Sequence, residues 1–194
     1  MKIETTLSIS AIYIQRILDI QVTWNIQADG TVDIAMDVKR NPIFPMLPRF
    51  GLRLFLPKEM KDVTYYGLGP VESYMDKRRA SWHGEFSSPV TDLHEDYIRP
   101  QENGSHYDCD YVTLSSNAGH LLPERKTSLT AVSGQTFSFN ASVYTEEELT
   151  NKAHHYELEE CGSTVLCLDY RQNGIGSNSC GPQLIEKYRL DENE

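Results

Sequence analysis

The sequence predicts an all-β protein, an antiparallel β-sandwich with one short helix. Apolar and polar residues alternate through short runs rich in β-branched and aromatic residues, and turn-forming residues separate these runs. The length of 194 residues is sufficient to bury the core of one large domain. We therefore expect a single domain over residues 1–194.

The first predicted element is a β-hairpin. Alternation at 20–25 resumes at 32–38, and the pair Asp29-Gly30 between them favours a tight turn. Prolines then interrupt the chain before the next predicted strand, 50–56. Further strands are predicted at 63–66, 111–114, 128–132, 136–143, 164–168 and 183–190.

One segment has the start signal of a helix. Thr145 followed by Glu148 has the pattern of a capping box, so a short helix is predicted to continue to His155. The stretch from Gly67 to Gly104 is polar, aromatic and rich in turn residues. It is too long for a plain connection, and we expect a structured excursion that packs on the sandwich.

Composition argues against several classes of function. The net charge of −10 disfavours nucleic acid as a partner. No apolar run approaches the ~18 residues of a membrane helix, and the amino terminus lacks the features of a secretion signal. A soluble, cytoplasmic protein is expected, with a periplasmic location left open. Neither the four cysteines nor the six histidines have zinc-site spacing, so no metal site is expected in this chain.

The polar segment 173–182 is the best candidate for contact with a ligand. Its glycines let the backbone approach a ligand closely, and its amides and hydroxyls can bond sugar hydroxyls. The alternative is a tight hairpin that turns at 173–174. The candidate residues are Asn173, Gly174, Gly176, Ser177, Asn178, Ser179 and Cys180.

A second motif is interpreted as structural. The Gly-x-Gly-Pro run at 67–70 lacks the lysine and the third glycine of nucleotide-binding loops. We predict a strained turn in which Glu72 or Asp76 holds backbone amides or the arginines at 78, 79 and 99. The turn 99–103 is interpreted as an ordering network, with a role at the edge of a ligand site as the alternative. The motif comprises Gly67, Gly69, Pro70, Glu72, Tyr74, Asp76, Arg99, Glu102 and Asn103.

Four segments, in this order along the chain, resemble the bacterial β-galactosidases of glycoside hydrolase family 2. They are LPRFGL at 47–52, YGLGPVESYMD at 66–76, YIRPQENG at 97–104 and NGIGSNSCGP at 173–182. The stretch FNASVYTEEEL at 139–149 is similar as well. The resemblance extends from about Trp24 to Tyr188 and is to the last domain of those enzymes.

The resemblance implies a galactose mutarotase-like supersandwich, truncated from a much larger enzyme that hydrolyses terminal β-galactosides such as lactose. It implies a scaffold that also forms part of the wall of the sugar site. Family members carry a further stretch before the part matched by Ile20, so residues 1–18 are expected to pair irregularly. In many members the loop matching 174–182 carries a tryptophan that stacks on the sugar. Here the matching residue is Cys180, which weakens the case for stacking.

The family's catalytic glutamates and its magnesium and sodium ligands belong to other domains. The resemblance therefore implies no catalytic residue, metal or cofactor in this chain, which is expected to be inactive when isolated. The implied partners are the remaining domains or a large subunit, and a β-galactoside, in a homo-oligomeric enzyme. No nucleic acid or membrane partner is expected. Whether the parent enzyme is one chain or two subunits stays open.

Two alternatives come from other classes of function. A mutarotase-like sugar epimerase would need a histidine acid and a carboxylate base facing a sugar ring. A stand-alone carbohydrate-binding module would need aromatic side chains on one exposed face. The sequence singles out no residues for either role.

Overall fold

The computed structural model describes residues 1–10, 15–44, 47–116, 127–176, 182 and 184–190. The chain forms two compact units, which divide between residues 46 and 47. Strands of the described residues form one three-stranded and one six-stranded antiparallel sheet, accompanied by one short α-helix. The predicted all-β class is confirmed, with two antiparallel sheets, one in each unit. The single domain over 1–194 stays a prediction.

The first unit contains the predicted hairpin. Its strands, in spatial order, are β1 (Lys2–Ser10), β2 (Arg16–Ile26) and β3 (Val32–Arg40). At the turn, Oδ1 of Asp29 accepts a 2.9 Å hydrogen bond from the amide of Thr31. Gly30 has a φ of 94°, a conformation that side chains disfavour. The hairpin therefore depends on the two turn residues that the sequence indicates.

Regular pairing of β1 corrects one expectation. β1 pairs with β2 in continuous register from Lys2 opposite Asn25 to Ile9 opposite Leu18. Irregular pairing is therefore wrong for residues 2–9. Apolar residues of β1 alternate in phase with those of β2, so one register aligns both strands and a slip by one residue would misplace every side chain.

The second unit contains the six-stranded sheet. Its elements are β4 (Arg49–Pro57), β5 (Asp62–Gly69), β6 (Trp82–Pro89), β7 (His106–Ser116), β8 (Thr127–Ser142), α1 (Glu146–Asn151) and β9 (Ser163–Gln172). The strand order is β4-β9-β8-β7-β5-β6. Short 3₁₀ helices occur at Val90–Leu93, His155–Glu157 and Glu186–Tyr188. The core of this unit includes Val63, Tyr65, Val112, Leu114, Phe139 and Leu166.

Three strand predictions need correction. The strands predicted at 128–132 and 136–143 are one strand, β8, because residues 133–136 bulge from its pairing with β7 instead of turning. The predicted strand 183–190 is wrong for 184–190, which carry a 3₁₀ helix, because the amides of Tyr188 and Arg189 bond locally to the carbonyls of Ile185 and Glu186. β6 was not predicted, since its sequence WHGEFSSP is poor in β-branched residues and its pairing with β5 supplies the order.

α1 begins where the sequence indicates. Oγ1 of Thr145 accepts a 3.1 Å hydrogen bond from the amide of Glu148. The helix ends at Asn151 rather than at His155, because the Glu157 carboxylate binds the amide of His154 and draws the chain into a 3₁₀ turn. The carboxylate of Glu148 accepts a hydrogen bond from the amide of Glu159. This bond takes the place of the one that Glu148 would accept from the amide of Thr145 in a capping box.

Candidate functional site

A cluster of charged side chains centred on Arg49 joins segments that lie far apart in the chain. Arg49 begins β4, and its Nε lies 3.0 Å from Oδ1 of Asp169 in β9, while its Nη2 lies 2.5 Å from Oδ2. Its Nη1 donates a 2.8 Å bond to Oε2 of Glu102. Gly51 lets the backbone of β9 approach closely, because a Cβ there would lie 2.1 Å from the carbonyl oxygen of Leu168 and 2.9 Å from Oδ1 of Asp169.

The electrostatics of this cluster keep its members paired. Asp169 is 2% exposed, and burial raises the pKa of its carboxyl group while the hydrogen bonds from Arg49 oppose that shift. Burial alone would lower the pKa of Arg49, but its bonds to Asp169 and the charge of Glu102 outweigh burial and raise it. A guanidinium that binds two carboxylates at fixed angles is a specific link. It sets the position of the 99–103 turn against β4 and β9.

Glu102 extends the cluster to β8 and to the turn that follows β5. Its Oε1 accepts bonds from Nδ2 of Asn140 at 2.9 Å and from the hydroxyl of Tyr74 at 3.4 Å. Nδ2 of Asn140 also donates a 2.6 Å bond to the carbonyl of Asn103. Oδ1 of Asn103 in turn accepts a 3.0 Å bond from the amide of Glu95. The 99–103 turn is therefore held from both sides.

Glu72 lies in a second polar cluster. Its carboxylate accepts a 2.8 Å bond from the amide of Gly104 and further bonds from the ammonium of Lys77 and the hydroxyl of Tyr97. Glu72 is 6% exposed, and burial opposes its ionisation. The donors outweigh burial, and the pKa of Glu72 is lowered. Its cationic partner is thus Lys77, rather than one of the predicted arginines.

Asp76 holds the beginning of the polar segment 173–182. Its Oδ1 accepts a 3.0 Å bond from the amide of Ile175, and its Oδ2 accepts a 2.8 Å bond from the amide of Gly176. The amide of Asn173 donates to the carbonyl of Pro48 at 2.8 Å, and that of Gly174 to the carbonyl of Tyr188 at 2.9 Å. Each consecutive amide from 173 to 176 is therefore bonded.

Of the other predicted site residues, some lie in the packed turn after β5, one makes no polar contact within the described ranges, and some lie outside them. Gly67 lies against Cys109, the peptide Gly69-Pro70 is cis, and Ser73 and Tyr74 are buried beyond it. Arg99 makes no hydrogen bond or ion pair with the described part of the chain. The candidates Ser177, Asn178, Ser179 and Cys180 lie outside the described residues.

A cleft of about 290 Å³ opens beside the Glu72 cluster. Its walls include Val71, Lys77, Arg78, Glu95 and Tyr97. The Glu72 carboxylate at its wall already accepts three bonds, from the amide, ammonium and hydroxyl groups that surround it. A general acid or base needs a free position facing the substrate. The arrangement around Glu72 is accordingly that of a structural network.

Several members of these clusters were not singled out by sequence reasoning. Arg49, Tyr97 and Asn140 lie inside segments quoted for the resemblance, and that position was the available signal. Lys77 belongs to the short basic run 77–79. Asp169 had the weakest signal, because it is a lone carboxylate that directly follows the predicted apolar strand 164–168.

The described residues include neither a cluster suited to a metal ion nor a helix suited to crossing a membrane. Within the described ranges, no group of three or more histidine, cysteine, aspartate or glutamate side chains is arranged to hold a metal ion. The expectation that this chain carries no metal stays a prediction. In the same part of the chain, no helix has both the length and the apolar character needed to cross a membrane.

Comparisons with known proteins agree with the resemblance. A family model described as "Beta galactosidase small chain" matches residues 2–194. A β-galactosidase of Actinobacillus pleuropneumoniae is 44% identical over 179 residues, 92% of this chain and 17% of that protein. A β-galactosidase of Staphylococcus xylosus is 46% identical over 170 residues, 88% of this chain and 16% of that protein. The chain thus spans about a sixth of the length of these curated relatives.

Proposed function

Because the chain belongs to the β-galactosidase small-chain family, we propose that it completes a β-galactosidase by forming part of the wall of the sugar site. The chain supports the remaining domains or a large subunit, and it does not hydrolyse a glycoside alone. Its contribution to the sugar site is the segment from Asn173 to Cys180. The substrates are terminal β-galactosides such as lactose.

The observation that carries this proposal is the anchoring of residues 173–176. Acceptors from three other segments, at Pro48, Asp76 and Tyr188, bind the consecutive backbone amides of this short stretch. A backbone held at four consecutive amides is rigid, and a preorganised binding site requires rigid support. The carboxylates of Glu72, Glu102 and Asp169 stabilise this scaffold by accepting hydrogen bonds from neighbouring donors.

The hydrolysis of a glycoside requires two carboxyl groups about 5 to 10 Å apart across a sugar-binding cleft. We assign that pair, together with the magnesium and sodium ions of the whole enzyme, to the remaining parts of the protein. A homo-oligomer and a cytoplasmic location complete the proposal. It makes no choice between a single-chain and a two-subunit parent.

A reconstitution experiment tests this proposal. The purified chain, the remaining polypeptide and their mixture are assayed with a chromogenic β-galactoside. We expect no turnover by the chain, weak or absent turnover by the remainder, and strong recovery in the mixture. Turnover by the isolated chain at a rate near that of the complete enzyme would overturn the scaffold role. Full activity of the remainder alone would overturn the contribution to the sugar site.

The two alternatives have separate tests. The described pairs of histidine and carboxylate, such as His83 with Asp108 at 2.9 Å, bind each other directly instead of facing each other across a cleft. Acceleration of α-galactose anomer exchange in polarimetry would favour the mutarotase-like epimerase. Micromolar binding of galactose or lactose in calorimetry would favour the carbohydrate-binding module. We expect neither, because the pocket needs the remaining parts of the enzyme.

A further inference from the structure

We infer that Asp76 is a positioning residue of the sugar site, acting through the backbone of residues 174–176. This inference rests on the proposed function, because it assigns a role to Asp76 only if the segment 173–180 contributes to that site. Asp76 lies about a hundred residues before this segment in the chain and makes its contact through a single carboxylate.

Each carboxylate oxygen of Asp76 binds a different backbone amide. Oδ1 accepts from the amide of Ile175 at 3.0 Å, and Oδ2 accepts from the amide of Gly176 at 2.8 Å. Hydrogen bonds to an ionised acceptor are stronger than bonds between neutral groups. Two such bonds to neighbouring amides fix the orientation of the peptide between Ile175 and Gly176.

Glycines at 174 and 176 fit this contact. A Cβ at Gly174 would lie 2.5 Å from Cγ of Asp76, and a Cβ at Gly176 would lie 2.9 Å from Oδ2. Neither glycine has a positive φ, so backbone conformation does not require glycine at these positions. The space that these glycines leave in the structure is occupied by the carboxylate of Asp76.

Asp76 is itself held in a rigid turn. Tyr74 and Lys77 exchange backbone bonds of 2.8 and 3.1 Å, which place Met75 and Asp76 at the tip. Tyr74 is 2% exposed, and its hydroxyl lies 3.4 Å from both the amide of Ser105 and Oε1 of Glu102. The turn is therefore anchored in the same network that contains Arg49. The backbone position from which the Asp76 side chain extends is fixed as a result.

The test uses the complete β-galactosidase that contains this chain. Asp76→Ala removes both acceptors, Asp76→Asn keeps one acceptor oxygen, and Gly176→Ala displaces the carboxylate without removing it. Asp110→Asn, at an exposed position in β7, is the matched control. Hydrogen–deuterium exchange reports the amides of Ile175 and Gly176, and steady-state kinetics report KM and kcat for a chromogenic β-galactoside. The thermal unfolding midpoint checks that each variant is folded.

We expect Asp76→Ala to accelerate exchange at Ile175 and Gly176 by about tenfold or more. We expect KM to rise by about tenfold with kcat reduced by less than about threefold, because a displaced wall weakens binding of substrate and transition state alike. Asp76→Asn should give a smaller rise in KM, Gly176→Ala a rise close to that of Asp76→Ala, and Asp110→Asn no change.

Unchanged amide exchange in Asp76→Ala would overturn the inference directly. A further variant, in which Ser177, Asn178 and Ser179 are replaced by glycine, separates the two levels of the proposal. If that variant raises KM and Asp76→Ala does not, the positioning role of Asp76 is wrong while the proposed function stands. If neither variant changes KM, the contribution of the segment 173–180 to the sugar site is wrong.

Discussion

The two sheets differ in how far apart their neighbouring strands lie in the sequence. In the three-stranded sheet, each strand pairs with the next one along the chain. In the six-stranded sheet, β4 lies beside β9, so that Arg49 meets Asp169 across a separation of 120 residues. Local pairing accounts for the first sheet. The polar clusters that support the candidate site occur in the second, where distant segments meet.

The largest predicted effect tests the long-range pairing. Arg49→Met leaves the buried carboxylate of Asp169 without its cation, so the free energy of unfolding should fall by about 3 to 5 kcal/mol. Arg53, in the same strand, pairs with Glu146 and Glu147 at the surface, and Arg53→Met should cost no more than about 1 kcal/mol. Urea denaturation measures both. Equal losses of unfolding free energy in the two variants would show that the buried ion pair stabilises the protein no more than the surface pair does.

A second prediction sharpens the comparison through pH. His106 begins β7 inside the six-stranded sheet, and burial lowers its pKa to about 4. The unfolded chain binds this proton near pH 6.5, so the stability due to neutral His106 is full above that pH and is lost as pH falls toward 4. Between pH 7.5 and 5 the loss should be about 2 kcal/mol.

His106→Phe removes this titration and keeps a ring in contact with Tyr65 and Phe139. The free energy of unfolding of the variant should therefore depend less on pH over that interval than that of the natural chain. Urea denaturation at the two pH values gives the comparison. Identical pH dependence in both proteins would contradict the burial of a neutral histidine at this position.

The smallest predicted effect concerns the local hairpin of the three-stranded sheet. Gly30→Ala places a side chain at a φ of 94° and should cost about 1 kcal/mol. Gly134→Ala in β8 is the control, because that position has no positive φ and nothing within 4 Å of the new methyl group. Urea denaturation should show no loss for the control. A loss at position 134 as large as that at 30 would contradict the conformational explanation.

Much of the secondary structure follows from local patterns. Alternation predicts β2, β3 and β4, the pair at 29–30 predicts the turn, and Thr145 predicts the start of α1. The failures have different causes. β6 has a weak strand sequence and is ordered by β5, whereas residues 184–190 resemble a strand but close local 3₁₀ hydrogen bonds instead.

For the candidate site, the sequence indicated segments more accurately than contacts. It singled out Glu72, Asp76 and Glu102, and it proposed that the carboxylates of Glu72 and Asp76 hold backbone amides or arginines. It did not indicate that Asp76 binds the amides of residues 175 and 176, or that Arg49 lies between Glu102 and Asp169. Such partners cannot be read from spacing, because between 53 and 120 residues separate them.

The sequence by itself determined the all-β class, the local hairpin and the family to which the chain belongs, since alternation, turn chemistry and ordered motifs are all carried by neighbouring residues. The tertiary structure alone decided the strand order β4-β9-β8-β7-β5-β6 and the partners of Arg49 and Asp76. The physical reason is that strand order results from the packing of whole strands on a shared core. The buried carboxylate of Asp169 therefore obtains its partner Arg49 only once that packing has brought distant strands together.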